Sequence, residues 1–445
     1  MMRTFFGTAL HTPEPGRLEV LENRLIRVDE QGTIESIQPG DPADADMRLE
    51  PGQFLLPGLV DLHIHAPQWP QLGKALDVPL EIWLQRYTFP LESRYQDVAY
   101  AEGVWRSMIE GLLANGTTTA LYFATIHVPA SQRLAELCLD YGQRALVGRV
   151  AMDHPGQCPD YYRDASPELA EAETRAFIAH VRGLAGNECG LVLPVITPRF
   201  IPSCTDELLH RLGRLAAETG CHVQTHCSES DWEHDHVKER CGVSDSEALN
   251  RFGLLSRHTV LAHGNFVDES DRALIKQAGA AIAHCPLSNI YFSDAVFPMR
   301  KALDEGLHVG LGSDVAGGAS PSILASARHA VMASRNLESG VDPSLPREKR
   351  GQPGSRIDAL EAFWLATAGG GISLDLPIGL FKPGYQFDAF VLDANAGDMT
   401  VYPEDSPADI LHKAVYLAGR SNIREVWVSG RRVHTPRPAD RRPVR

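Results

Sequence analysis

Between residues 59 and 313 the chain repeats one pattern, a short apolar and often β-branched run followed by a longer amphipathic segment. The apolar runs, which we predict to be strands, cover residues 59–65, 117–123, 145–151, 191–197, 221–226, 258–263, 280–284 and 308–313. A series of eight strand–helix units predicts an α/β fold built as a (β/α)₈ TIM-like barrel. An open doubly wound sheet is the alternative, and the lack of a GxGxxG motif after the first strand disfavours it.

Both ends of the chain differ from this middle, because they consist of short strand-like segments separated by glycine and proline. The runs at 387–392 and 425–433 are examples near the C-terminus. We therefore predict a small β-sandwich domain assembled from residues 1–56 and 380–445. It flanks a catalytic barrel that covers residues 57–379.

Composition narrows the possible partners of the chain. Its 445 residues carry a formal net charge of −15, and an acidic surface repels phosphate backbones, so nucleic-acid binding is not expected. No apolar run reaches the roughly eighteen residues that a membrane span needs, and no signal peptide is recognisable, so we expect a cytoplasmic protein without membrane association. The eight cysteines are irregularly spaced and lack a CxxC pair, which favours reduced thiols.

Histidine and aspartate residues end several of the predicted strands, where barrel enzymes place their active sites. The first strand ends in His63 and His65, which share one face because they are two residues apart. The fifth strand ends at His226, the sixth at His263 and the eighth at Asp314. Imidazole and carboxylate groups suit zinc, and a catalytic zinc keeps one position open for water. We predict His63, His65, His226 and Asp314 as metal ligands, with His263 just outside the metal or in weak contact with it and orienting the attacking water.

One metal ion fits this pattern better than two. The bridging lysine of two-metal sites is absent, because no lysine occurs between Lys74 and Lys238. A single ion activates water, and a carboxyl group that is close but not bound can carry protons. Glu229 lies three residues beyond His226 and is the predicted proton carrier, with a first-turn position in a helix as the structural alternative. The predicted catalytic residues are Glu229, Asp314 and His263.

Beyond these residues, the chain resembles the amidohydrolase superfamily and, within it, the guanine deaminases. The resemblance runs from about residue 50 to 430. It includes PGLVDLHIHAPQWPQLG (57–73), DVPLEIWLQRYTFPLE (77–92), NGTTTALYFATIH (115–127), TPRFIPSC (197–204), THCSES (225–230), LAHG (261–264), AIAHCPLSN (281–289) and GLGSDVAGG (310–318). The HxH motif and the aspartate are general to the superfamily, whereas YTFP, TPRF and SDVAGG are more particular.

The resemblance implies hydrolysis of guanine by water to xanthine and ammonia, in a homodimer with one Zn²⁺ per subunit. It implies that Gln68, Arg199 and Phe200 hold the purine. Arg199 would donate to the O6 carbonyl and Phe200 would line or stack on the ring. The metal-site residues that would also contact the substrate are His65, His226, Glu229 and Asp314.

Three positions near the predicted site depart from the usual pattern of the family: Trp69, Ser230 and Ser313. They bear on substrate preference more than on the chemistry. Other ring substrates therefore stay open, namely 8-oxoguanine, a pterin or a triazine. Iron is an alternative to zinc, since an imidazole–carboxylate site holds either metal. A scaffold protein without a metal is a further alternative, and the complete set of ligands disfavours it.

Overall fold

The computed structural model describes residues 2–435. The first five strands along the chain are β1 (Arg3–Glu14), β2 (Arg17–Val28), β3 (Ile34–Pro39), β4 (Met47–Arg48) and β5 (Gln53–Pro57). β1, β2 and β3 pair in antiparallel fashion, whereas β4 and β5 run parallel to β1. The N-terminal segment is thus strand-rich, as its glycine and proline punctuation predicts.

The middle of the chain forms the predicted barrel. Its strands are β6 (Leu59–His65), β7 (Thr117–Phe123), β8 (Arg144–Ala151), β9 (Val192–Pro198), β10 (His222–Cys227), β11 (Thr259–His263), β12 (Ala281–His284) and β13 (His308–Leu311). Each strand pairs in parallel with the next. The (β/α)₈ prediction is confirmed, and the predicted strand limits agree with the observed ones to within two residues.

Burial explains why the barrel strands appear in the sequence as continuous apolar runs. Every residue of β6, β7 and β8 is buried. Parallel strands in a barrel are covered on the outside by helices and on the inside by the side chains of the other strands. Both faces of each strand are therefore apolar, and the sequence does not alternate between apolar and polar residues. Polar residues within these strands therefore require a specific partner or a function.

Fifteen α-helices are present in the described residues. They are α1 (Leu80–Trp83), α2 (Phe89–Glu92), α3 (Val98–Ala114), α4 (Val128–Tyr141), α5 (Pro167–Arg182), α6 (Asp206–Thr219), α7 (Asp231–Cys241), α8 (Asp245–Arg251), α9 (Glu269–Ala278), α10 (Pro286–Ser293), α11 (Met299–Asp304), α12 (Ile323–Ser339), α13 (Ala359–Ala366), α14 (Ala368–Ser373) and α15 (Pro407–Leu417). No helix in this part of the chain combines the length and apolarity that a membrane crossing requires.

Helix α6 shows how local sequence sets these limits. The Thr205 hydroxyl accepts a hydrogen bond from the Leu208 backbone N–H at the first turn. Gly220 ends the helix in a left-handed conformation with φ of +64°, which glycine adopts without steric cost. The leucines at helical spacing lie on the buried face of the helix, as predicted, and they include Leu209, Leu212 and Leu215.

The barrel closes between its first and last strands. Beyond the end of β13, the Asp314 N–H donates to the His63 carbonyl at 2.8 Å, and the His65 N–H donates to the Val315 carbonyl at 3.0 Å. These backbone bonds bring the HxH motif of β6 next to the aspartate that follows β13.

Three C-terminal strands complete the small β-rich unit: β14 (Ala389–Asp393), β15 (Ile423–Val428) and β16 (Arg431–His434). They join the N-terminal strands in one mixed sheet with the order β16-β15-β14-β5-β1-β2-β3, in which β4 pairs with β1. A second apolar core lies against this sheet, where the Phe5 ring centroid is 4.1 Å from that of Phe387 and 4.9 Å from that of Trp427. The domain limits at residues 57 and 380 stay a prediction.

Candidate metal centre and pocket

Four histidines and an aspartate converge at the carboxyl end of the barrel. The Nε2 atoms of His65 and His226 are 3.0 Å apart. Oδ1 of Asp314 lies 3.3 Å from Nε2 of His63 and 3.5 Å from Nε2 of His65. The ring centroid of His263 is 5.3 Å from that of His63 and 5.5 Å from that of His226. The structure therefore brings together all five residues that the strand ends predict.

The donor atoms of this cluster fit a metal ion. Burial lowers the pKa values of His63, His65 and His226 far below the usual histidine range, and it also lowers that of His263. Neutral imidazoles keep a lone pair that a metal can accept. Nε2 of His63 and Nε2 of His263 are buried without any hydrogen-bond partner, which is costly unless another group satisfies them. Ligand atoms of His63, His65 and Asp314 lie within 4.8 Å of one another.

His263 lies close enough to the cluster to contact a metal ion, which is one of the two places predicted for it. Its ligand atom lies within 4.8 Å of those of His63 and His226, and it also forms such a group with Glu229 and Asp314. The backbone of His263 has φ of +74° and that of Asp314 has φ of +46°. Both values lie in the left-handed region, which residues other than glycine seldom adopt.

Two outer contacts orient the histidine rings. Nδ1 of His226 lies 2.6 Å from the Arg199 carbonyl oxygen, and Nδ1 of His263 lies 2.9 Å from Oδ1 of Asn289. A carbonyl oxygen only accepts, so Nδ1 of His226 carries the proton and Nε2 faces the cluster with its lone pair. Asn289 was not predicted as a site residue, although it is the last residue of the segment AIAHCPLSN (281–289), which is part of the resemblance to the family.

Asp61 supports the first strand from behind the cluster, and it was also not predicted. Its Oδ1 accepts the backbone N–H of His63 at 3.2 Å and that of Ser313 at 2.9 Å, so it links β6 to the segment after β13. Complete burial raises the pKa of Asp61 to about 7, against the effect of these hydrogen bonds. The available signal was its spacing, because Asp61 lies two residues before His63 on one face of the strand.

Glu229 lies at the same carboxyl end of the barrel. It does not occupy the first turn of a helix, which was the structural alternative, because α7 begins at Asp231. The residue that caps α7 is Ser230, whose hydroxyl accepts the Glu233 backbone N–H at 3.3 Å. Glu229 precedes this cap and is almost fully buried. Oε1 of Glu229 is 3.7 Å from Nε2 of His263. Burial, and next the charge of Asp314, raise the pKa of Glu229 well above the usual range, which favours a protonated carboxyl.

The backbone around Glu229 is held on both sides. Its N–H donates to Oε2 of Glu233 at 2.7 Å, and its carbonyl accepts from Nδ2 of Asn265 at 2.8 Å and from the Ser293 hydroxyl. Three elements, α7, the segment after β11 and α10, thus fix the position of one carboxyl group.

A pocket with an empty volume of about 410 Å³ adjoins the cluster. It is lined by residues of the cluster, by Glu229, by the three predicted purine-binding residues, by apolar residues in and next to α1 and α10, and by one glycine after Asp314. These residues are His65, Gln68, Leu80, Trp83, Leu84, Arg199, Phe200, His226, Glu229, Phe292, Asp314 and Gly317. A pocket with apolar walls and a few converging polar groups is the usual form of a small-molecule site. The apolar wall formed by Trp83 and Phe292 was not predicted.

Comparisons with known proteins agree with this geometry. The chain matches the amidohydrolase family over residues 54–433. Among its relatives are a probable guanine deaminase of Schizosaccharomyces pombe, 37% identical over 96% of this chain and 83% of that protein, and guanine deaminase of Homo sapiens, 35% identical over 96% of each.

A solved structure is similar over nearly the whole chain. The crystal structure of guanine deaminase from C. acetobutylicum, with bound guanine in its active site, has a TM-score of 0.88 and 31% identity, and the match covers 98% of this chain and 100% of that one. Because the family match covers most of the chain and the relatives are similar along nearly their full length, this chain belongs to the amidohydrolase family.

Proposed function

We propose that this protein deaminates guanine to xanthine and ammonia. The observation that carries the proposal is one pocket, which brings a cluster of metal-type ligands and a buried acid to one wall and Gln68, Arg199 and Phe200 to another. The first set suits hydrolysis at a ring carbon. The second suits a flat, neutral ring with a carbonyl group, and the relatives and the similar solved structure bear the name guanine deaminase.

The amidohydrolase family is metal-dependent, and the donor set of this chain fits one ion per subunit. We propose His63, His65, His226 and Asp314 as ligands, with Zn²⁺ as the ion and iron as the alternative. When bound, such an ion lowers the pKa of a water molecule toward neutrality. His263, whose ring is held by Asn289, would orient the attacking water or contact the ion directly.

The carboxyl groups move the protons of the reaction. Burial raises the pKa of Glu229 well above its usual range. This favours a protonated carboxyl group, which donates to ring nitrogen N3 of guanine and makes C2 electrophilic. Burial also raises the pKa of Asp314, which makes it a competent acceptor for the proton of the attacking water. After the C2–O bond has formed, Asp314 passes this proton to the amine, the C2–N bond breaks and ammonia leaves. The added hydroxyl group returns a proton to Glu229 as it becomes the C2 carbonyl of xanthine. His263 stabilises the charge that develops on the added oxygen.

The remaining pocket residues orient the ring. Arg199 is almost completely buried and its guanidinium lies over the Phe89 ring at 5.0 Å, so it presents fixed donors to the substrate carbonyl. The ring of Phe200 is 6.1 Å from that of His226 and forms an apolar wall beside the cluster. Gln68 supplies an amide to the polar edge of the ring. We expect a family member that acts on 8-oxoguanine, a pterin or a triazine to differ from this chain at Gln68, Arg199 and Phe200.

The test is ammonia release by the zinc-loaded protein from a panel of purines, pterins and triazines. We expect guanine to have by far the highest kcat/KM and xanthine to be the product. Faster turnover of another ring would contradict the roles of Gln68, Arg199 and Phe200, while leaving the metal chemistry intact. A protein that binds zinc and turns over no ring would instead support the scaffold alternative.

We also propose a homodimer, which rests on the resemblance to the family, and a cytoplasmic location, which rests on the irregular spacing of the cysteines. Light scattering coupled to size-exclusion chromatography would give the subunit number. A monomer at micromolar concentration would contradict the dimer.

We also propose the domain division at residues 57 and 380. At the first of these limits, β5 ends at Pro57 in the small sheet and β6 begins the barrel at Leu59.

A further inference from the structure

One buried carboxyl group contacts two of the pocket residues without lining the pocket itself. Glu92 is the last residue of α2, is 1% exposed and lies behind the pocket wall. Its side chain contacts those of Gln68 and Arg199, which come from the segment after β6 and from the end of β9. A single residue therefore connects two side chains that the fold brings from opposite parts of the barrel.

The two oxygens of Glu92 accept three hydrogen bonds. Nε2 of Gln68 donates to Oε1 at 2.9 Å, and the Arg199 guanidinium donates to Oε2 at 2.6 Å and to Oε1 at 3.2 Å. The contact with Arg199 has two parallel N–H···O bonds, which fix the plane of the guanidinium as well as its position. Hydrogen bonds of this kind in a dry environment are strong and geometrically specific.

Glu92 also decides which way the Gln68 amide faces. An ionised carboxylate only accepts hydrogen bonds, so the NH₂ end of Gln68 must point toward Glu92. The carbonyl end of the Gln68 amide requires the same orientation, because its Oε1 accepts a hydrogen bond from the Ala316 backbone N–H at 3.1 Å. The amide keeps one N–H and one lone pair for a ligand.

Charge balance at this wall favours a neutral ligand. Glu92 compensates the buried positive charge of Arg199, so the wall is not a site for an anion. The donors that Arg199 and Gln68 do not give to Glu92 remain available to the pocket. A wall that is uncharged and rich in N–H groups complements a ring edge that carries a carbonyl oxygen.

We propose that Glu92 is a positioning residue that selects ring substrates with a carbonyl group at the edge facing Arg199. The assignment rests on the proposed function, because it takes a 6-oxopurine as the ligand. Glu92 does not touch the substrate. It acts by holding Gln68 and Arg199 in the one arrangement in which both offer donors.

The test compares the wild-type protein with Glu92→Gln. The NH₂ group of the new amide would face an N–H group of Gln68 or Arg199, so that two donors would oppose each other. If the Gln68 amide rotated to avoid this, its own NH₂ group would face the Ala316 backbone N–H instead. Hypoxanthine and purine serve as probes, since only hypoxanthine carries the C6 carbonyl and neither has a C2 amine to lose. We expect the wild type to bind hypoxanthine more tightly than purine in calorimetry. We expect E92Q to reduce this preference by about 10-fold to 100-fold, the effect of leaving one buried donor without its partner.

Kinetics with guanine give a second measurement. Because Glu92 orients the ring and takes no part in proton transfer, we expect KM to rise more than kcat falls in E92Q. Glu92→Asp keeps the charge but is one methylene shorter, so it should retain part of the preference. Glu81→Gln, which removes an exposed carboxylate from the nearby α1, should leave both measurements unchanged. The visible spectrum of the cobalt-substituted protein should be the same in all four proteins.

Failures of the two proposals are distinguishable. If the wild type prefers hypoxanthine to purine, E92Q loses this preference and the wild type releases no ammonia from guanine, the proposed function fails and the role of Glu92 stands. If E92Q and E92D are folded, have the wild-type cobalt spectrum and keep the full preference for hypoxanthine, the role of Glu92 is overturned. A changed cobalt spectrum in E92Q would also overturn it, since Glu92 would then act on the metal cluster.

Discussion

The backbone N–H of Asp314 donates to the carbonyl oxygen of His63 at 2.8 Å, while the side chains of the same two residues approach to 3.3 Å. The bond that closes the barrel is thus adjacent to the atoms that would hold a metal ion. The proposed ligands come from β6, from β10 and from the segment after β13. An ion held there would link strands that are far apart along the chain.

Removal of the metal should therefore lower stability as well as activity. After dialysis against a chelator we expect ammonia release from guanine to be lost and the Tm to fall, with both restored by one equivalent of Zn²⁺ per subunit. At a free ion concentration of a thousand times Kd, binding contributes about 4 kcal/mol to the free energy of unfolding. Calorimetric scans of the treated and reconstituted protein measure this. An unchanged Tm would show that these residues do not bind an ion.

The Glu229→Gln variant tests the proposed proton carrier. The amide keeps the shape of the side chain but cannot donate the proton that activates the ring, so we expect kcat to fall by about 10³-fold, within the range for general acid catalysis. Metal content and Tm should stay close to those of the wild type, since Glu229 is not a proposed ligand. Glu239→Gln, on the exposed face of α7, is the matched control. Normal turnover by E229Q would contradict the assignment.

Those parts of the site that lie on barrel strands follow directly from the sequence. His63, His65, His226 and His263 each end or nearly end a continuous apolar run, and in a (β/α)₈ barrel such ends share one face. This rule requires no knowledge of side-chain packing. Eight strand positions and one topological rule were therefore sufficient to predict which of these residues meet.

The outer contacts could not be predicted in this way. Glu92 ends a helix of four residues within the long connection between β6 and β7, where no periodicity fixes the direction of a side chain. Asn289 lies inside α10 and becomes a partner of His263 only through tertiary packing. The order of the small sheet is similarly non-local, because β5 pairs with β14 across the entire barrel sequence.

Phe200 provides a test of how the pocket holds a ring. In Phe200→Leu the wall stays apolar but loses its flat face, so we expect KM for guanine to rise about fivefold to tenfold, in keeping with the roughly 1 kcal/mol of an aromatic contact. The value of kcat should change less, because Phe200 donates and accepts no proton. Steady-state kinetics check this. Phe266→Leu, whose ring lies 5.5 Å from that of His234 and outside the pocket lining, is the control. Equal effects of the two substitutions would show a general packing defect instead.

The small sheet contains a buried histidine that makes stability depend on pH. His11 lies in β1, and its Nδ1 accepts the Phe381 backbone N–H at 3.3 Å. Burial lowers the pKa of His11 from 6.5 to about 4, although the charge of Glu19 acts in the opposite direction. Above pH 6.5 the ring is neutral in both the folded and the unfolded chain. As pH falls from 6.5 toward 4, the unfolded chain takes up a proton first, so the contribution of His11 to stability is lost.

The full contribution of His11 corresponds to about 3 kcal/mol, from a pKa difference of about 2.5 units at roughly 1.4 kcal/mol each. His11→Asn keeps a hydrogen-bond acceptor for the Phe381 N–H but does not titrate in this range. We therefore expect the variant to lose a constant amount of stability at neutral pH and to converge toward the wild type as pH falls to 4. Denaturant unfolding of both proteins between pH 7.5 and 4, at saturating metal, measures the difference in their free energies of unfolding. The histidines of the barrel site contribute equally to both proteins, so their contribution cancels in this difference. A difference that does not depend on pH would show that His11 is not held neutral in the folded protein.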